Sequence, residues 1–262
     1  MSATLTAPTL PQTAPRTETA PAGFGNLLLV EARKLVNTRA GRWLLLIALM
    51  MSAGATAVAV WVFPTGTVAE VFLFSFMPLG ILLPVCAILA TTAEWFQRTG
   101  LTTFALEPRR WRVAAAKLVV LQVAAVAVLV AATGIAYAAA GIASLGDRTW
   151  NSWALDAATL GGVGLSLSLM MLQAAAFGFL LLNTPAAIVL FFVVPQLWSN
   201  AVSFVPALAE RKHWLDLDQA LAPILDGAAT SAHWGYFLAA VSIWVLLPLA
   251  AGIVRFLRAE VK

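Results

Sequence analysis

A chain of 262 residues that is 61% hydrophobic and only 11% charged, with a mean hydropathy of +0.88, cannot cover itself with a polar surface. Soluble domains carry about 25% charged residues, so lipid is the solvent this composition fits, and a water-soluble enzyme or a nucleic-acid-binding module is excluded. The net charge of +4 is small, and its distribution matters more than its size.

Residues 1–22 are rich in Thr, Pro and Ala and poor in large apolar side chains, which predicts a disordered tail. The tail lacks the basic start and short apolar core of a cleaved signal peptide. Next comes FGNLLLVEARKLVNTR, residues 24–39. At about 100° per residue, Phe24, Leu27, Leu28, Ala32 and Leu35 share one helical face, with Asn26, Arg33, Lys34 and Asn37 opposite. A basic amphipathic helix of this kind is expected to lie in the membrane interface.

Six stretches then approach or exceed the roughly 20 apolar residues that cross about 30 Å of hydrocarbon. They are 43–63, 71–92, 113–140, 160–182, 186–205 and 236–257. Backbone amides in lipid must be satisfied internally, so all six are predicted as helices. The lone Cys86, inside the second, permits no intrachain disulfide and no cysteine metal cluster. Between the second and third lies the polar loop 93–117, whose residues 94–117 read EWFQRTGLTTFALEPRRWRVAAAK and predict a short helix. Gln122, Tyr137, Gln173 and Asn183 are polar residues within or beside spans, and interhelical hydrogen bonds account for them better than a substrate path. Gly161, Gly162, Gly164, Ser166 and Ser168 give the fourth span a small-residue surface for close helix packing. Pro195, Gln196, Ser199 and Asn200 interrupt the fifth, predicting a kink or an early end continued by a half-helix. The segment 203–234 predicts a pair of short helices dipping into the outer leaflet, and its acids and His213 match no metal-ligand spacing.

Orientation follows from the basic residues. With the N-terminus cytoplasmic, all of the sixteen lysines and arginines except Arg148, Arg211 and Lys212 fall inside. Trp43, Trp95 and Trp111 mark the inner boundary, while Trp61, Trp150, Trp153 and Trp234 mark the outer one. The expected fold is an all-α integral membrane protein with six transmembrane helices, an N-terminal interfacial helix and both termini cytoplasmic.

Two patches carry a family resemblance. Glu31, Lys34, Leu35, Thr38, Arg39 and Trp43 stand in the order Glu-x-x-Lys-Leu, Thr-Arg, Trp before the first span. Glu94, Arg98, Gly100, Thr102, Thr103, Pro108, Arg110, Ala116 and Lys117 follow in order from the end of the second span to the start of the third. Both patches resemble the permease subunits of type-2 ABC exporters, although Thr99-Gly100-Leu101-Thr102 replaces the usual Gly-Thr pair. The resemblance spans roughly residues 24–262 and makes 23–262 one six-helix permease domain in the cell membrane. It implies that the loop 93–117 docks a separate ABC ATPase through Glu94, Arg98, Thr102, Thr103, Phe104, Pro108, Arg109 and Arg110, with Phe104 and Leu106 filling a groove on that partner. Glu31, Lys34, Leu35 and Arg39 would belong to the interfacial helix, one of whose residues pairs with Glu94. It further implies a second permease subunit, identical or not, facing the first and fifth spans.

The chain has no G-x-x-x-x-G-K-[ST] phosphate-binding loop, so ATP and Mg are expected on the ATPase and no cofactor or metal on this chain. The resemblance therefore makes the chain the translocation path of an exporter rather than an enzyme. The alternatives are a secondary transporter, which calls for internal repeats, and a membrane-embedded scaffold without an ATPase. An intramembrane enzyme would need paired His, Glu or Asp residues in spans.

Overall fold

The computed structural model describes residues 23–63, 66–146, 148–225 and 228–260. The tail expected over 1–22 lies outside the described residues. Helices dominate, and no strand occurs among the described residues. In chain order they are α1 (Phe24–Asn37), α2 (Arg39–Val62), α3 (Val68–Phe96), α4 (Gly100–Leu106), α5 (Arg110–Ser144), α6 (Ala157–Leu181) and α7 (Thr184–Phe204). Three short helices follow, α8 (Pro206–Ala209), α9 (Lys212–Leu215) and α10 (Leu217–Leu225). The last span comprises α11 (Ser231–Val241), a π-helical turn (Ser242–Leu246) and α12 (Leu247–Arg258).

Six helical stretches are long and apolar enough to cross a membrane, and each contains most of one stretch expected from hydropathy. The helices overrun those stretches. At about 1.5 Å per residue, the 35 residues of α5 extend roughly 52 Å. That exceeds an apolar slab of about 30 Å, so Arg110–Lys117 is helix rather than loop. The fifth span is a single helix through Pro195, not a helix and a half-helix.

α6 is the most buried span and packs on α3, α5, α7 and α12. Small residues permit this. A Cβ on Gly178 would collide with the Thr91 side chain of α3, and one on Gly164 would lie 3.1 Å from Leu129 of α5. Gly162 sits under Leu225 of α10, whereas Gly161 faces open space. The expected small-residue surface thus does pack, through two of its three glycines.

Side-chain caps start several of the spans, though not α5. Thr67 and Glu70 form a reciprocal capping box at α3. Asp156 accepts from Thr159 N at 2.6 Å, and Asn183 accepts from Ala186 N at 3.0 Å. The hydrogen bonds from Thr159 and Ala158 hold the exposed Asp156 carboxyl below its usual range. Asn183 is therefore a cap. Gln122 donates across to Ser168 O of α6, the interhelical bond the sequence suggested, whereas Tyr137 donates to Trp153 O in the α5–α6 connection rather than to another helix.

The spans alternate in direction, giving the bundle two ends. One end holds α8, α9 and α10, where the indoles of Trp198 and Trp244 both donate to Leu215 O at 3.0 and 2.8 Å. Three short helices stand there rather than the expected pair. The His213 ring lies tilted against Tyr236 at 4.1 Å and His233 caps α11 through Thr230, so both histidines have structural contacts. The other end gathers α1, α4 and the last turn of α12.

Candidate functional site

The α1–α4 end is organised by four charged side chains from three helices. On α1, Leu27, Glu31 and Leu35 recur every fourth residue and form one stripe. Glu31 and Leu35 are buried, although Glu31 is an acid in the centre of an apolar face. Its partner is Lys117 on the second turn of α5, whose ammonium donates to Glu31 Oε2 at 2.7 Å, Glu94 Oε1 at 2.8 Å and Ala90 O at 2.8 Å. Lys34 completes the set, donating to Glu31 Oε1 at 2.7 Å and Glu94 Oε1 at 3.1 Å. Two acids and two bases balance formally. Lys117 is 1% exposed in its side chain and Glu94 is 2% exposed, while Lys34 keeps 37%. Buried ions survive only when paired and hydrogen-bonded, and each ammonium here bridges both carboxylates.

The anticipated bond from Glu94 to the N-terminal helix is therefore present, through Lys34. Burial alone would lower the Lys34 pKa, but Glu94 and Glu31 outweigh it and hold the amine above its ordinary 10.5. Arg39 departs from its expected place. α1 stops at Asn37, Thr38 is extended and accepts from Gly41 N at 3.1 Å, and Arg39 opens α2. Gly41 permits this tight turn, since a Cβ there would run into the Leu35 carbonyl and come within 2.8 Å of Thr38 Oγ1.

α3 ends in a turn in which Thr99 N donates to Glu94 O and Arg98 N to Trp95 O. This is the Schellman pattern, with Arg98 in the left-handed position (φ 55°) that glycine usually fills. A side chain there costs on the order of 1–2 kcal/mol, so the α3–α4 turn is held by its surroundings. Those surroundings are aromatic. Phe104 packs between Trp95 and Phe256 at 6.0 and 5.7 Å, and Phe256 meets Phe179 edge-to-face at 5.0 Å. The Arg110 guanidinium lies 4.5 Å above Phe104 and donates to Ala259 O at 2.6 Å. Glu107, also buried, pairs with Arg112 at 2.7 Å and accepts from Arg109 N.

The residues expected to dock a partner thus divide into two groups. Glu94, Phe104 and Arg110 turn inward: Glu94 ties α3 to α1 and α5, while Phe104 and Arg110 hold α4 to α3, α5 and α12. Phe104, 8% exposed, does not present a ring to a partner's groove, because Gly100 and Phe104 form the inner face of α4. Arg98, Thr102, Pro108 and Arg109 are exposed, and Thr103 is half-buried. Leu106, at 80% exposure, does project outward as expected, and Phe96, Leu101 and Trp111 are exposed as well. Sequence reasoning also placed Lys117 at a loop end and gave Glu31 no partner. An acid within an apolar helical face and a lysine four residues into an apolar run were the signals for their pairing. Among the described residues no group of three or more His, Cys, Asp or Glu converges as a metal set would.

No protein-family model matches the chain, and no curated protein matches it.

Proposed function

We propose that this chain is the membrane-spanning permease subunit of an ATP-driven exporter of the type-2 ABC class, and that it docks a separate ATPase through α4 and its flanking turns. The observation that carries the reading is the division of the 94–112 segment. One set of side chains packs α4 against α3, α5 and α12, and a second set, including Leu106 and Arg109, is left uncovered. An exposed leucine on a short, firmly held helix, with exposed arginines in the turns on either side of it, suits an apolar pocket rimmed by carboxylates. Force applied to α4 reaches three spans and the N-terminal helix without passing through a flexible loop. In this reading α1 lies along the inner leaflet, its exposed Leu29 and Val36 facing acyl chains. Both termini are cytoplasmic, a second permease subunit completes the path, and the complex resides in the cell membrane. ATP and Mg belong to the partner. Co-purification of the ATPase with the chain, lost on replacing Leu106 and Arg109, tests the reading. Retention of the ATPase by that variant refutes it.

A further inference from the structure

Along α12, Leu247, Ala250, Ala251, Val254, Arg255 and Arg258 recur at intervals of one, three or four residues and share one face. All six are exposed. The opposite side of α12 presses on α6, so closely at Gly252 that a Cβ there would stand 2.8 Å from Ala176 O. Leu181 and Leu182 at the end of α6, with Trp95 of α3, complete the wall of a groove of about 1020 Å³. Pockets for small molecules run to about 1,000 Å³, so this one is large for a compact ligand. Its face is also divided along its length. It is apolar for roughly 10 Å from Leu247 to Val254, and cationic from Arg255 onward.

The cationic end has no protein partner. Among the described residues neither Arg255 nor Arg258 makes a hydrogen bond or an ion pair, whereas Arg110 nearby is held by Ala259 O. Trp95, half-buried at the same mouth, has an indole N–H without a hydrogen-bond partner among the described residues. Glu260 also lines the mouth and pairs with neither arginine. Two guanidiniums against one carboxylate leave a single uncompensated positive charge.

We propose that this groove holds an anionic phospholipid of one net negative charge, such as phosphatidylglycerol, from the leaflet at this end of the bundle. Arg255 and Arg258 donate to its phosphate oxygens, which the guanidinium fork matches in geometry. One acyl chain lies along Leu247, Ala250, Ala251 and Val254. Charge and depth together select this occupant. Free phosphate would gain nothing from the apolar part of the face. A zwitterionic head would bring its own ammonium to two arginines. Basic pockets between spans at headgroup level hold anionic heads of this kind. The groove contains none of the exposed residues proposed to dock an ATPase, so the two proposals stand or fall separately.

The test is native mass spectrometry of the full chain in detergent micelles, titrated with phosphatidylglycerol or with phosphatidylcholine of the same acyl chains. Phosphatidylglycerol should bind about fivefold more tightly, the ratio that one charge at a membrane surface supplies. Arg255→Gln combined with Arg258→Gln should remove that preference. Arg42→Gln, exposed at the same end but outside the groove, should leave it intact. Ala251→Phe, which fills the apolar part from an exposed position, should release the bound phosphatidylglycerol. Equal binding of the two lipids, a preference that survives the double variant, or one that Arg42→Gln also removes, overturns the proposal. So does a lipid-free dimer that Ala251→Phe breaks, since a second copy would then cover the groove.

Discussion

Lys117→Met keeps the length and apolar stem of the side chain and removes only its ammonium. Three hydrogen bonds of 2.7–2.8 Å disappear, and Glu31 and Glu94 are left sharing Lys34. Removing one partner of a buried ion pair costs about 3–5 kcal/mol, because the remaining charge stays buried without compensation. That corresponds to roughly two to four orders of magnitude in the folding equilibrium. Lys34→Met is the internal control. Its side chain is 37% exposed, so solvent screens it and the expected loss is nearer the 0–1 kcal/mol (roughly) of surface pairs. Coupling Lys117→Met with Glu94→Gln restores the charge balance and should recover much of the loss. Unfolding in mixed micelles, followed by tryptophan fluorescence as dodecyl sulfate is raised, measures all three. If Lys117→Met costs no more than Lys34→Met, the cluster does not hold this end of the bundle together.

Phe104→Ala should lower the thermal stability of the isolated chain by about 3–5 kcal/mol, the range for a buried aromatic truncated to alanine, whereas Leu106→Ala should leave it unchanged; size-exclusion chromatography after heating distinguishes them. Because the folded Lys34 pKa lies above 10.5, its contribution is fully present below that value and is lost as pH rises through the raised one. The stability difference between the parent chain and Lys34→Met should therefore be flat around neutrality and vanish at strongly alkaline pH. In a Cys86→Ala background, a cysteine at Ser144 should react with an impermeant thiol reagent from outside intact cells, and one at Leu106 only after the membrane is opened; the reverse pattern inverts the proposed orientation.

Hydropathy was enough to place the six spans, because a run of some 20 apolar residues has few other fates. It misplaced their ends, since α3 and α5 continue as helix beyond the apolar slab. The deciding residues are Glu94 and Lys117, which read as loop charges from composition but pair with each other and with α1. The caps at Asp156 and the box at Thr67 and Glu70 are local and follow standard residue preferences. The inward turn of Phe104 was not legible, because it depends on Phe256 and Phe179, which lie far along the chain. Trp95 and Arg110 are near in sequence, but nothing in their spacing says which face of a seven-residue helix meets them.

The docking claim is tested most directly with Leu106→Asp combined with Arg109→Glu. Both residues are exposed, so the chain itself should fold and insert normally. Substitutions at Phe104 or Arg110 would confuse docking with the aromatic packing those residues provide. The measurement is recovery of the ATPase with the tagged chain, together with ATP hydrolysis by the purified complex. A desolvated charged contact is worth about 2–5 kcal/mol in binding, so the variant should lose the ATPase during purification and with it the coupled hydrolysis. A variant that retains the ATPase and hydrolyses ATP at the parental rate contradicts the account, and would leave the segment 93–117 as no more than a positively charged membrane anchor.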